Sequence, residues 1–315
     1  MSDEYLMDNP RSQRVKKVAQ LATRAGRKKQ GLFLAEGPQP VREALKLWLR
    51  SWESEEPSAA PDGYFPSLDA LYFHPDALER HPDVASLLEA VRGVLFDPQR
   101  ELPREGRIFL REATDEVLAA MGEAETSQGF IAVCRIPELT FDVLDPQSIQ
   151  LAPVLVGLQD PGNVGTVIRT ADAAGAQAVL LTPGSADPWA PKAVRSAAGS
   201  HFHLPIATGV DLKELSESLS DHNSQVLAAH GYAELSLETL QKAEADVALS
   251  DPTFWLLGNE AHGLSPEELE LADHTVSIPL YGQAESLNVA VAGALCLYAS
   301  AMAQDPGEHP VRPQP

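Results

Sequence analysis

Apolar residues recur along this chain in two alternating spacings. In the first half, GLFLAEG (31–37), ALYFH (70–74), VLFD (94–97) and GFIAVCRIP (129–137) are short apolar runs, the pattern of strands. Between them apolar positions fall three and four apart, as on helices. Residues 12–25 put Val15, Val18, Leu21 and Ala22 in one such stripe. PQPVREALKLWLRSW (38–52) begins a helix on proline, and DALERHP, DVASLLEAVR and TDEVLAAMGE read as further helices. Residues 53–66, acidic and Pro-rich, are predicted to be a surface insertion. The alternation predicts a small α/β domain over 1–138.

A linker is predicted at 139–152, after which the alternation sharpens. PVLVGL (153–158) is a continuous apolar strand of the kind buried on both faces. NVGTVIRTADAAGA reads as a helix, AVLLT as a strand, PWAPKAVRSAAGS as a helix, FHLPIA as a strand and LKELSESLS as a helix. QVLAAH, TFWLLG and TVSIPL are further strands, and a last helix covers 287–303. This is the signature of a parallel sheet with right-handed crossovers, predicted over 153–304. The Pro-rich tail, 305–315, is predicted to be disordered.

Length and charge narrow the picture. The 315 residues accommodate two domains, and 44% apolar content allows substantial cores. Cys134 and Cys296 are too few for a disulfide framework, lack metal-site spacing and read as buried thiols. The first ten residues, MSDEYLMDNP, hold no apolar core and predict no secretory signal. The longest apolar run, about 16 residues, is short of a membrane span, so a cytoplasmic protein without metal is expected. The net charge of −21 disfavours generic binding to nucleic acid. It is unevenly spread, however. Residues 11–29 carry Arg11, Arg14, Lys16, Lys17, Arg24, Arg27, Lys28 and Lys29 and no acid. That segment is either a solvated helix face or a docking patch for phosphates on an anion-repelling body.

Ligands of open parallel sheets bind beyond the carboxyl ends of the strands, and three such ends carry unusual residues. LQDPGNVGTVIRTADAAGA has only G-x-x-G at Gly162 and Gly165, which fails the dinucleotide fingerprint. It leaves Asn163 near a helix N-terminus and Arg169 two turns in. Arg169 either pairs with Asp172 on the helix surface or meets a phosphate or oxyanion. FWLLGNEAHGLSPEEL ends a buried strand at Leu257 and Gly258, then gives Asn259, Glu260 and a capping box at Ser265 and Glu268. His262 reads as a solvated loop residue. The third end runs from Ile278 and Leu280 through a polar turn to Ser286, Leu287 and Asn288, two of them good helix caps. The small residues after it, Ala290, Ala292, Gly293 and Ala294, imply close backbone approach. Together the ends describe a pocket made of backbone, suited to a flat heterocycle.

These three segments, DPGNVGTVIRTADAAGA, LLGNEAHGLS and IPLYGQAESLNVAVAGALCLY, resemble in order and spacing the motifs of the SpoU/TrmH class of SPOUT RNA methyltransferases. PKAVRSAAGSHFHLP (191–205) resembles that class's linking stretch, and FLAEGPQPVREAL with SQGFIAV resembles its ribosomal-protein-like substrate-binding domain. The resemblance implies a C-terminal α/β parallel-sheet domain with a deep trefoil knot behind a smaller N-terminal α/β domain. It implies S-adenosylmethionine as cofactor, held by Leu257, Gly258, Asn259, Ile278, Leu280, Leu287 and Asn288. Asn163, Arg169, Glu260, Ser286 and Asn288 would form the catalytic face, acting on a ribose 2′-hydroxyl of RNA. Lys192 and Arg195 would join the basic segment in holding RNA, ribosomal in preference to transfer RNA. A homodimer is implied, with the small residues of the last helix needed because the chain passes through itself and packs on the partner subunit. A non-catalytic RNA-binding assembly factor is the alternative with the same fold. Ala261 and Ala290 stand where many members have Gly and Ser. Neither change removes a polar catalytic group.

Overall fold

The computed structural model describes residues 6–52, 63–123, 127–220, 224–243 and 245–304. The tail at 305–315 and most of the insertion predicted at 53–66 lie outside the described residues. The chain forms two compact units. One holds residues 1–139, 160–169 and 186–205; the other holds 140–159, 170–185 and 206–315.

The first unit begins with β1 (Leu6–Met7), α1 (Gln13–Ala19), α2 (Arg24–Gln30), β2 (Leu32–Glu36) and α3 (Pro38–Trp52). There follow β3 (Ser67–Phe73), α4 (Pro75–Arg80), α5 (Pro82–Leu95), β4 (Phe109–Ala113), α6 (Asp115–Met121) and β5 (Phe130–Arg135). The sheet has the order β1-β4-β3-β5-β2, with β5 antiparallel to both its neighbours. One face buries Val15, Val18 and Leu21 against Tyr72, Val117, Leu118 and Ile131.

Three expectations change here. The single helix at 12–25 is broken at Thr23, whose extended backbone ends one helical run and whose hydroxyl accepts from the Gly26 amide to cap α2. The strand predicted at 94–97 is the end of α5: Val84, Leu88, Val91 and Val94 keep helical spacing and stay buried, and Phe96 is left outside. The strand β4 escaped notice because Arg111 and Glu112 interrupt its apolar run.

Beyond β6 (Leu151–Leu155), the chain continues through α7 (Pro161–Ala173), β7 (Val179–Leu181), α8 (Pro191–Ala197), β8 (Ile206–Thr208), α9 (Leu212–Ser220) and β9 (Gln225–Ala229). It ends with β10 (Leu235–Ser236), α10 (Leu237–Gln241), β11 (Thr253–Leu257), α11 (Pro266–Leu269), β12 (His274–Ser277) and α12 (Val289–Gln304). The strand predicted as FHLPIA is shorter, because Ser200–Phe202 is a 3-10 turn and the strand begins only after Pro205.

All seven strands of the second unit are parallel, in the order β10-β12-β9-β11-β6-β7-β8. The central strands β6, β7 and β11 are buried at every position, as covered parallel strands require. From β6 the chain steps toward β7, whereas from β11 it steps the other way, past β9, to β12. The order therefore reverses between β6 and β11, the place where such sheets open a ligand crevice.

The last helix, α12, packs on β11 and β6, and the indole N–H of Trp255 donates to Ser300 Oγ at 3.0 Å in the core. Gly293 faces this sheet: a Cβ there would sit 2.7 Å from Leu257 Cδ1. Gly293 thus serves packing within its own chain, one of the two uses expected of the small residues. The glycine admits Leu257 of its own chain.

Candidate active site

In the second unit the loops after β6 and β11 are tied together. The Val156 amide donates to the Leu257 carbonyl at 2.9 Å. Asn259 Nδ2 donates to the Gly157 carbonyl at 2.7 Å, and the Gln159 amide donates to Glu260 Oε2 at 3.0 Å. Gln159 Nε2 also spans the Gly157 and Gly184 carbonyls, at 3.0 and 2.7 Å. Thr182 Oγ1 accepts from the Gly157 amide, and Ser185 Oγ donates to the Leu155 carbonyl at 3.0 Å. The ends of β6, β7 and β11 thus share one hydrogen-bonded rim made mainly of backbone.

The turn after β11 is closed on itself. Asn259 and Gly263 exchange backbone hydrogen bonds of 3.1 and 2.9 Å, and Asn259 Oδ1 accepts from Ala261 and His262. Gly258 lies beneath this turn. A Cβ on it would stand 2.6 Å from the Gly263 carbonyl carbon and 2.7 Å from the Leu264 nitrogen. Both obstacles are backbone, so only glycine fits.

The third strand end is open. Beyond β12, Ile278 is half-buried, whereas Leu280, Ser286, Leu287 and Asn288 are exposed. Asn288 Oδ1 accepts from the Ala290 and Val291 amides, capping α12 two residues later than the predicted start. Apolar side chains left in solvent beside backbone N–H and C=O groups fit the flat, weakly charged ligand expected from the sequence.

The first unit holds the other predicted residues. Asp160 Oδ1 caps α7, accepting from Gly162 at 2.5 Å and Asn163 at 3.3 Å. Lys192 Nζ reaches both oxygens of Asp160, at 2.9 and 2.8 Å. The Lys192 ammonium, aided by the two amides, holds the Asp160 carboxyl below its ordinary pKa. Arg169 is exposed on α7. Lys192 and Arg195 are exposed but have acidic neighbours: Arg195 Nη1 is 3.8 Å from Glu36.

The basic segment divides. Arg11, Arg14, Lys16, Lys17, Arg24, Lys28 and Lys29 are exposed. Arg27 is not available to RNA, a correction to the sequence reading. It is 4% exposed, its Nε and Nη2 meet Asp187 Oδ2 at 2.8 and 2.7 Å, and Nη1 donates to the Leu21 and Ala22 carbonyls. Its charge closes the turn between α1 and α2.

Sequence reasoning missed Gln159, Asp160, Thr182 and Ser185. The D-P-G-N order was the available sign for Asp160, since an aspartate two residues before a tight turn accepts local amides. Little local marks Gln159, since besides Gly157 its partners lie 25 and 101 residues away. Burial pushes both thiols up, Cys296 to about 12, which leaves neither as a nucleophile. Among the described residues no group of three or more His, Cys, Asp or Glu is placed to hold a metal.

Comparison with known proteins agrees with this geometry. The SpoU rRNA Methylase family model matches residues 150–298, and the MRM3-like substrate binding domain model matches 12–56. The chain is 31% identical over 294 residues to the 23S rRNA (guanosine(2553)-2′-O)-methyltransferase RlmP of Bacillus subtilis, covering 93% of this chain and 97% of that one. A crystal structure of an RNA 2′-O ribose methyltransferase superimposes with a TM-score of 0.71 at 29% identity, covering 95% of this chain and 98% of that one. The SpoU methyltransferase AviRb of Streptomyces viridochromogenes, in complex with AdoMet, gives 0.67 at 25% identity, covering 95% and 100%. The chain therefore belongs to the SpoU rRNA methylase family.

Proposed function

We propose that this protein transfers a methyl group from S-adenosylmethionine to a ribose 2′-hydroxyl of ribosomal RNA. The observation that carries the reading is the backbone rim where β6 and β11 part, with Gly258 sealed beneath its own turn. RlmP, which shares nearly the whole chain, is named as a 23S rRNA 2′-O-methyltransferase, and AviRb was solved in complex with AdoMet.

The residues present fit this cofactor. Gly258 lets the turn close directly over the strand-end backbone, and Leu280 and Leu287 offer solvent-facing apolar surface. Leu257, Gly258, Asn259, Ile278, Leu280, Leu287 and Asn288 would hold the adenosine and methionine parts. When bound, S-adenosylmethionine supplies a methyl group activated by a sulfonium centre.

The remaining work falls to the chain. Glu260, anchored on the Gln159 amide, and Asn288, fixed as a helix cap, would order the loops around the ribose, with Ser286 beside them. Asn163 would bind near the start of α7. An arginine is a permanent cation and a poor base. Arg169 would instead hold the phosphate and stabilise the oxyanion that forms as the hydroxyl proton passes to solvent water, worth a few kcal/mol. Orientation of the hydroxyl in line with the methyl group would provide much of the rest.

We assign residues 1–138 to RNA recognition and 153–304 to catalysis, with the family's trefoil knot in the latter. A homodimer is proposed as well. It is supported by Val291, Leu295, Tyr298 and Met302, an exposed stripe along α12. A cytoplasmic setting completes the reading, and no described helix is long and apolar enough to cross a membrane. Calorimetry tests the cofactor site: heat on titration with S-adenosylmethionine and none with NAD is expected, and the reverse would overturn the assignment.

A further inference from the structure

We propose that the groove between the end of α5 and the edge of β4, in the first unit, binds a single-stranded segment of RNA by stacking and phosphate contact. The inference rests on the reading of RNA as substrate and adds a place for it that lies outside the basic segment.

The groove has a volume of about 870 Å³. Its lining joins aromatic and basic residues: Phe73, Phe96 and Phe109 with Arg92, Arg100, Arg107 and Arg111. Two acids, Glu101 and Glu112, also line it, so arginines outnumber acids in a chain whose net charge is −21. That local inversion of charge is a phosphate-binding feature in an otherwise repelling molecule.

Of the lining aromatics Phe96 is the one placed for stacking, because Phe73 is buried and Phe109 is half-buried. Phe96 is 70% exposed at the C-terminal end of α5, where burial would be the ordinary fate of so large an apolar ring. Phe109 already carries guanidinium groups: Arg14 lies 3.8 Å and Arg111 4.9 Å from its ring centre. Arg92 lies 5.6 Å from the ring centre of Phe73. Arginine planes and phenyl rings are the surfaces on which unpaired bases stack. Arg14 also links the groove to the exposed lysines of α1.

Arg92 is shared with Glu89 at 2.6 Å on the surface, and Arg100 donates to the Trp52 carbonyl. Arg92, whose ion pair with Glu89 lies on the surface, and Arg107, whose Nε reaches the Leu102 carbonyl only at 3.4 Å, are the arginines to neutralise.

The test uses the full chain and a fluorescently labelled oligouridylate of about twelve nucleotides, a length within the span such grooves cover. Phe96→Ala is expected to weaken binding roughly five- to one-hundred-fold, the range of one lost base stack, and Phe96→Tyr to restore it. Arg92→Gln with Arg107→Gln is expected to flatten the log–log salt slope by about 1.4, at roughly 0.7 per phosphate contact. Ultraviolet cross-linking of the unaltered chain is expected to mark peptides between residues 92 and 112, which needs no variant to fold. Equal affinity and slope in parent and variants, or cross-links confined to residues elsewhere, would overturn the groove. If the parent still methylates ribosomal RNA in that case, the proposed function stands without it. A parent that neither binds the oligonucleotide nor transfers a methyl group would overturn both.

Discussion

Removing the Arg27 side chain should cost stability, not RNA affinity. The guanidinium makes two contacts with Asp187 and two with main-chain carbonyls, all between 2.7 and 2.8 Å. Taking away one member of a buried ion pair costs about 3–5 kcal/mol. Asp187 keeps 17% exposure and can regain water, so Arg27→Ala is expected near the low end, about 3 kcal/mol. Arg27→Ala with Asp187→Ala should cost less than the sum of the two single changes, because no charge is then left unpaired. Urea unfolding followed by tryptophan fluorescence reads this directly, since Trp189 packs in the same unit against Phe33 and His201. A variant within about 0.5 kcal/mol of the parent, the range of an ordinary surface change, would refute the reasoning. Loss of RNA affinity at unchanged stability would return Arg27 to the docking patch.

Four further outcomes are expected. Lys16, Lys17, Lys28 and Lys29 changed together to Glu should weaken RNA binding and leave cofactor affinity unchanged. If about four of the segment's cations meet phosphates, the parent's log–log salt slope should be near −3; equal affinity and slope in parent and variant would mark the lysines as merely solvated. Burial holds the imidazole of His201 down, to about 4, with Nε2 donating to the Pro188 carbonyl and Nδ1 without a partner. Its stabilising effect is therefore complete above the unfolded pKa of about 6.5 and should fade as pH falls toward 4, on the order of 3 kcal/mol in all. His201→Phe should flatten that part of the stability profile. Leu295→Glu should give a monomer by light scattering with S-adenosylmethionine binding measured alongside, and an unchanged dimer would disprove the α12 interface. Gly293→Leu should destabilise the subunit by about 1–3 kcal/mol through overpacking against Leu257, seen as a lower melting temperature.

Much of this was legible because the pattern is local. The α3 helix and the α9 helix follow from apolar spacing and end where it ends. The motif segments lie at strand ends because buried parallel strands read as continuous apolar runs. The failures have physical causes as well. The α5 helix hid its last turn inside VLFD, where β-branched and aromatic residues imitate a strand. Charge counting put Arg27 with its exposed neighbours, because its partner Asp187 lies 160 residues away. The small residues of α12 were read as serving both the chain's own packing and a second subunit, and which residue Gly293 makes room for, Leu257, could not be read from spacing. Long-range contacts of this kind leave no mark in the spacing of residues.

The most direct test of the central claim is methyl transfer itself. Purified protein, radiolabelled S-adenosylmethionine and unmodified ribosomal RNA are incubated, and the RNA is digested to nucleosides and analysed by mass spectrometry. The expected result is a single nucleoside carrying one added methyl group on its ribose 2′-oxygen, with the product sharply reduced by Arg169→Ala. Label on a base, label spread over many positions, or full activity in the Arg169 variant would contradict the account.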